Sequence, residues 1–200
     1  ETLAKQACEI EIDRLGRPLG KQDQYASAFG GFNHIKFNPD ESVFVNPIIM
    51  KPETKRKLRN NLILFYTGIN KRAEDTLGEQ KANIKTKRKT LDKMVELADE
   101  LADELRQNNI SDFGNKLHEN WMLKKTLASK ITNPEINNFY EKARNAGASG
   151  GKILGSGGGG FLLVYCEEEK QVDVRKALSE LKKVEDFEFE QEGSKIVYIN

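Results

Sequence analysis

Helical and strand-like segments that alternate without any repeat period predict an α+β protein. Three observations carry that expectation. Leu3, Ala4, Ala7, Cys8, Ile10 and Ile12 recur at helical spacing near the start of the chain. Leu62–Tyr66 and Phe161–Cys166 are short apolar runs closed by turn residues or flanked by glycine, the pattern of buried strands. Asn133-Pro134-Glu135 places proline at a first helical position, where its missing N–H costs nothing.

Taken in order, the first helix runs to about Leu15 and stops at Gly16-Arg17-Pro18. A short second helix begins near Lys21 and ends at Gly30-Gly31. Strands follow at Phe32–Phe37 and Val43–Met50, joined by the turn residues Asn38-Pro39-Asp40. A domain boundary is placed near Pro52, giving regions 1–52 and 53–200. The second region opens with the strand Leu62–Tyr66, then a long charged helical stretch from Lys71 to Gln107 with a break near Asn83. Helices over Ile110–Ser129 and from Asn133 precede the strand Phe161–Cys166. A helix near Glu169–Lys182 and two β segments, Phe187–Gln191 and Lys195–Ile199, close the order.

The charge is balanced: 32 basic and 31 acidic residues leave +1, which gives no general pull toward nucleic acid or an anionic membrane. The basic group Lys81, Lys85, Lys87, Arg88 and Lys89 is followed by the acidic stretch Glu96–Glu104 and reads as a solvated helix face. Cys8 and Cys166 lie far apart at no zinc spacing, which favours a reducing compartment. No apolar run is long enough to span a bilayer, and the expected setting is cytoplasmic.

Two segments stand out chemically. Gly16–Gly31 puts Asp23 in the first turn of a short helix, where the amide-rich start favours a carboxylate. Lys21, Gln22 and Gln24 surround it with groups suited to a polyol, although an acid here also serves simply to balance the helix dipole. Gly147–Phe161 holds half of the sixteen glycines in fifteen residues. Such density suits backbone that approaches a ligand closely, and consecutive amides form an anion-binding nest. A flexible linker fits less well, because Ile153-Leu154 and Phe161–Tyr165 anchor both sides. Gly155-x-Gly157-x-x-Gly160 matches a dinucleotide fingerprint formally, but it leads into a strand instead of a helix, and no Walker lysine ends the run.

Together these segments resemble the motifs of GHMP kinases. Gly20-Lys21-Gln22-Asp23-Gln24-Tyr25-Ala26 is similar to their aspartate motif, and Gly147–Phe161 to their C-terminal glycine-rich motif. Phe65-Tyr66-Thr67-Gly68 with Arg72-Ala73, and Trp121 with Lys124-Lys125 before Asn133-Pro134-Glu135, resemble the heptose 7-phosphate branch. The resemblance implies the end of a ribosomal S5 domain 2-like N-terminal domain over 1–52. A ferredoxin-like C-terminal domain is implied over 53–200. It further implies ATP and Mg²⁺ as cofactors and a sugar phosphate as small-molecule partner, with no nucleic acid or membrane, and it admits a homodimer.

By the resemblance, Asp23 takes the proton from the substrate hydroxyl. Gly20, Lys21, Gln22, Gln24, Tyr25 and Arg72 bind substrate, while Lys152, Gly155, Ser156, Gly157, Gly158 and Gly159 face phosphate. Glu11 is the metal carboxylate, with its neighbours Glu9 and Asp13 as competitors and a solvated acidic helix face as the plain alternative. The implied reaction is phosphorylation of the anomeric hydroxyl of a heptose 7-phosphate, giving the 1,7-bisphosphate. A galactose- or fucose-like substrate, or a non-catalytic binding module on the same fold, are the alternatives. The family's Pro-x-x-x-Gly-Leu-Gly-Ser-Ser phosphate loop and its N-terminal substrate motif do not occur in this sequence. With Glu1 opening directly into a helical pattern, the sequence is expected to be the C-terminal two-thirds of a longer kinase, poorly active by itself.

Overall fold

The computed structural model describes residues 1–70, 73–184, 187–195 and 197, with side chains of 73–75 excepted. The chain forms two compact units: Glu1–Ile49 together with Glu188–Asn200, and Met50–Phe187.

In the first unit, α1 (Thr2–Cys8) continues into a six-residue π-helical turn, Glu9–Arg14. Gly16, at φ +65°, ends it. Helix α2 (Gln22–Phe29) follows, then β1 (Asn33–Phe37) and β2 (Val43–Pro47) in an antiparallel hairpin with Ile35 opposite Val45. At the hairpin tip Asp40 accepts the Ser42 N–H at 3.0 Å and its hydroxyl at 2.6 Å, which holds this carboxyl below its usual range. Ala4, Cys8 and Tyr25 form the core, joined by Ile12, Ala28, Ile35, Val43 and Val45. The chain returns to this unit near its end: Gly31 N–H donates to the Glu190 carbonyl at 3.0 Å, and Phe32 meets Phe189 edge-on at 5.4 Å. A division in chain order at Pro52 separates these partners.

The second unit is a four-stranded antiparallel sheet in the order β4-β5-β3-β6, with helices packed around it. Its elements are α3 (Pro52–Asn60), β3 (Leu62–Tyr66), α4 (Ala73–Asn83), α5 (Arg88–Arg106), α6 (Phe113–Lys125), α7 (Pro134–Asn145), β4 (Gly150–Ile153), β5 (Phe161–Tyr165), α8 (Gln171–Ala177) and β6 (Lys182–Val184). Phe65, Trp121, Ile131, Ile136, Leu162, Val164, Val174 and Leu178 fill the core. Asn133 caps α7 by accepting the Ile136 N–H at 2.9 Å, and Pro134 occupies the first turn as its sequence predicts.

Several boundaries differ from the sequence reading. Helix α3 escapes it, although Pro52-Glu53 is a serviceable helix start. The glycine segment contains a strand, β4, because Gly150–Ile153 pairs with Leu162–Tyr165. Phe187–Gln191 is not a strand: its backbone pairs with no ladder, and among the described residues the last strand is Lys182–Val184 beside β3. Part of Lys195–Ile199 lies outside the described residues. No helix among the described residues is long and apolar enough to cross a membrane.

Candidate functional site

Each unit carries one of the two candidate segments. In the first, Gly20 and Lys21 lead into α2, and Asp23 stands exposed in its first turn. Gln24, the next residue, is 9% exposed and donates its side-chain amide to the Glu11 carboxylate in the π-helical turn. That bond separates the three acidic candidates: Glu11 is tied to the helix carrying Asp23, Glu9 is held by Arg14 at 2.7 Å, and Asp13 faces solvent. The carbonyl oxygen of the Gln24 side chain is buried without a partner among the described residues. A buried polar atom of this kind is costly unless something satisfies it.

The substrate role read for Tyr25 needs correction. Tyr25 is 2% exposed and belongs to the core, stacked on Phe29 and edge-on to Phe37, so its ring is spent on packing. Gln24 turns inward with one amide N–H on Glu11 and keeps its side-chain oxygen unpartnered among the described residues. Lys21 pairs with Glu41, which raises its pKa, and Gln22 is exposed. Arg72 lies outside the described residues, as does Lys71.

In the second unit the glycine segment is a strand followed by a tight turn. After β4, Gly155, Gly157, Gly158 and Gly160 all adopt positive φ, between +66° and +94°. The turn is gripped from several directions. Gly158 N–H donates to the Ile131 carbonyl at 2.7 Å, and Gly160 N–H to that of Ile69 at 2.8 Å. Lys124 donates to the Gly155 carbonyl at 2.5 Å. A Cβ at Gly157 would stand 2.7 Å from the Ile131 oxygen, and one at Gly159 would overlap the Ile69 oxygen. The glycines are therefore needed for close packing as well as for turning.

Those bonds also correct the amide inventory. Gly158 is no donor to a ligand, because its N–H is committed to Ile131. Among the described residues, the amides of Gly155, Ser156, Gly157 and Gly159 have no backbone acceptor. Lys152, half-buried on β4, has its pKa pushed down by burial alone. A desolvated ammonium gains from an anionic neighbour.

Beside β4 lies a pair that the sequence reading did not single out. His118 on α6 and Tyr140 on α7 stack at 5.9 Å with rings 5° apart, and His118 Nδ1 lies 2.6 Å from the Tyr140 oxygen. Burial lowers the His118 pKa, assisted by Arg144 and Lys125, and pushes the Tyr140 phenol up to about 12. Only residue spacing between two separate helices encodes this pair, and no local motif marks it. No group of three or more metal-ligating side chains occurs among the described residues.

Residues 101–184 match the family model described as GHMP kinases C terminal. Over 197 residues the chain is 34% identical to a D-glycero-alpha-D-manno-heptose 7-phosphate kinase of Campylobacter jejuni, covering 96% of this chain and 58% of that protein. It is 25% identical to a bifunctional fucokinase/GDP-fucose pyrophosphorylase of Arabidopsis thaliana, covering 90% of this chain and 18% of that one. The structure of a D-glycero-D-manno-heptose 1-phosphate kinase from Bacteriodes thetaiotaomicron superposes with a TM-score of 0.62 at 28% identity, covering 98% of this chain and 55% of that one. The chain thus spans little more than half the length of the heptose-phosphate kinases it matches.

Proposed function

We propose, from the premise that residues 101–184 are a GHMP kinase C-terminal domain, that the protein is an ATP-dependent kinase of a heptose 7-phosphate. It would phosphorylate the anomeric hydroxyl and act in the cytoplasm. The observation that carries this reading is the bond from Gln24 to Glu11, which holds a second carboxylate against the helix whose first turn presents Asp23. One acid is exposed to accept a proton, and another is oriented for a cation.

In this mechanism Asp23 receives the proton of the sugar hydroxyl as that oxygen attacks the terminal phosphoryl group of ATP. Exposure at the helix start leaves its carboxylate open to a polyol. Glu11, fixed by Gln24, fits a magnesium ion, which takes one or two carboxylates and otherwise binds phosphate oxygens. When bound, Mg²⁺ neutralises charge on the phosphates. In the second unit, taken by itself, the unspent amides of Ser156, Gly157 and Gly159 would suit phosphoryl oxygens, and an anion bound there would favour the charged form of Lys152, which burial disfavours. A fucose-like sugar is the second reading, supported by the likeness to the plant fucokinase.

ADP release by the full-length protein, measured over D-glycero-D-manno-heptose 7-phosphate, fucose and galactose, tests the assignment. Turnover is expected with the heptose phosphate and to depend on Mg²⁺. Turnover with fucose alone would transfer the assignment to the second reading, and none with any of the three sugars would remove both.

A further inference from the structure

We propose that Thr67 is a positioning residue, which sets the conformation of the glycine turn through a hydroxyl clasp and so governs phosphoryl transfer without touching the ligand. This deepens the kinase reading and rests on it. Thr67 follows β3 and is 6% exposed. Its N–H donates to the Gly160 carbonyl at 2.9 Å, and its hydroxyl donates to the same oxygen at 2.8 Å. The hydroxyl also accepts the Ile69 N–H at 3.3 Å, and the Ile69 carbonyl accepts the Gly160 N–H at 2.8 Å. The loop and the turn thereby exchange donors and acceptors in both directions. Tyr66 steadies the same loop by donating its hydroxyl to Asn70 at 3.0 Å.

A threonine hydroxyl suits this position because it can donate once and accept at the same time. Both capacities are used here, in surroundings nearly closed to water, where an unmade bond is costly to leave. The clasp bears on geometry because Gly160 stands at φ +83° and Gly158 at +80°, and flexible residues of this kind keep one conformation only when their neighbours impose it. Gly159 presses against the Ile69 oxygen from the turn side. If the clasp opens, the turn around Gly157–Gly160 loses the contact that fixes its backbone while the sheet and core remain intact.

The test compares Thr67→Val, which keeps the shape and loses the hydroxyl, with Thr67→Ser, which keeps the hydroxyl. Amide hydrogen exchange at Gly160 reads the clasp directly, and steady-state kinetics with heptose 7-phosphate and ATP read its consequence. Thr67→Val is expected to accelerate Gly160 exchange and lower kcat, each by about tenfold, as the loss of two buried hydrogen bonds suggests. KM should change by less than about twofold, the pattern of an interaction that matters in the transition state. Thr67→Ser is expected to restore both. Thr67→Ala, which removes the hydroxyl without adding an apolar group in its place, should reproduce the valine result and serves where the valine variant does not fold.

Unchanged Gly160 protection or kcat in Thr67→Val would overturn the proposal, as would a serine variant as damaged as the valine one. Wild-type protein that turns over no sugar phosphate would remove the kinase reading. The exchange arm would still decide the clasp, with faster Gly160 exchange in Thr67→Val supporting it and equal exchange overturning it.

Discussion

The aspartate segment and the glycine turn work with opposite materials. Around Asp23 the chemistry belongs to side chains: an exposed carboxylate, a second one held by an amide, and a backbone occupied with ordinary helix bonds. Around Gly157 the side chains are nearly absent, and the backbone itself is wedged against the carbonyls of Ile69 and Ile131. An exposed side chain can be exchanged at little expense to the fold, so its loss is read in activity. A wedged backbone has no room for an added atom, so its alteration is read first in stability.

The sharpest way to break this contrast is Asp23→Asn. It should lower turnover by about 10²–10⁴-fold while costing at most about 0.5 kcal/mol of stability, the helix-start charge term of an exposed residue; a stability loss of equal weight to the activity loss would erase the distinction. Gly150→Ala is the converse experiment. An added methyl would drive into the Gly114 carbonyl where α6 crosses β4. A loss of about 3 kcal/mol is expected in urea unfolding, at the upper end for overpacking. Gly157→Ala combines strain at φ +94° with a 2.7 Å approach to Ile131. It should cost about 2 kcal/mol and also lower activity.

Smaller perturbations sharpen the comparison. Asn133→Ala removes the cap of α7, two residues beyond the carbonyl that receives Gly158, and should cost about 1 kcal/mol with turnover nearly intact. A larger fall in turnover would show that the glycine turn depends on the whole segment before α7. The smallest effect is expected from pH. Because burial lowers the His118 pKa, the folded protein takes up this proton less readily than the unfolded chain does. Stability is therefore fully present above about pH 6.5 and falls as pH drops through the folded pKa. His118→Gln should flatten that part of a stability-versus-pH profile, and a wild-type profile already flat there would count against the burial argument.

The sequence by itself determined the elements whose causes are local. The apolar period of α1, the stop at Gly16, the Pro134 start of α7 and the compact run of β3 all act within a few residues. The same holds for Asp23 in its first turn and for the density of glycine between residues 147 and 161. The family resemblance also pointed to Glu11 but left Glu9 and Asp13 beside it, since neighbouring acids on one helix look alike until something touches them. Tertiary structure decided the rest through contacts made across long stretches of chain. Gln24 reaches back to Glu11, Thr67 reaches Gly160, Ile131 takes the Gly158 amide, and Glu190 returns to Gly31. A donor's type is written in one residue, but whether its hydrogen is spent inside the fold or left for a ligand depends on which distant carbonyl folding brings to it.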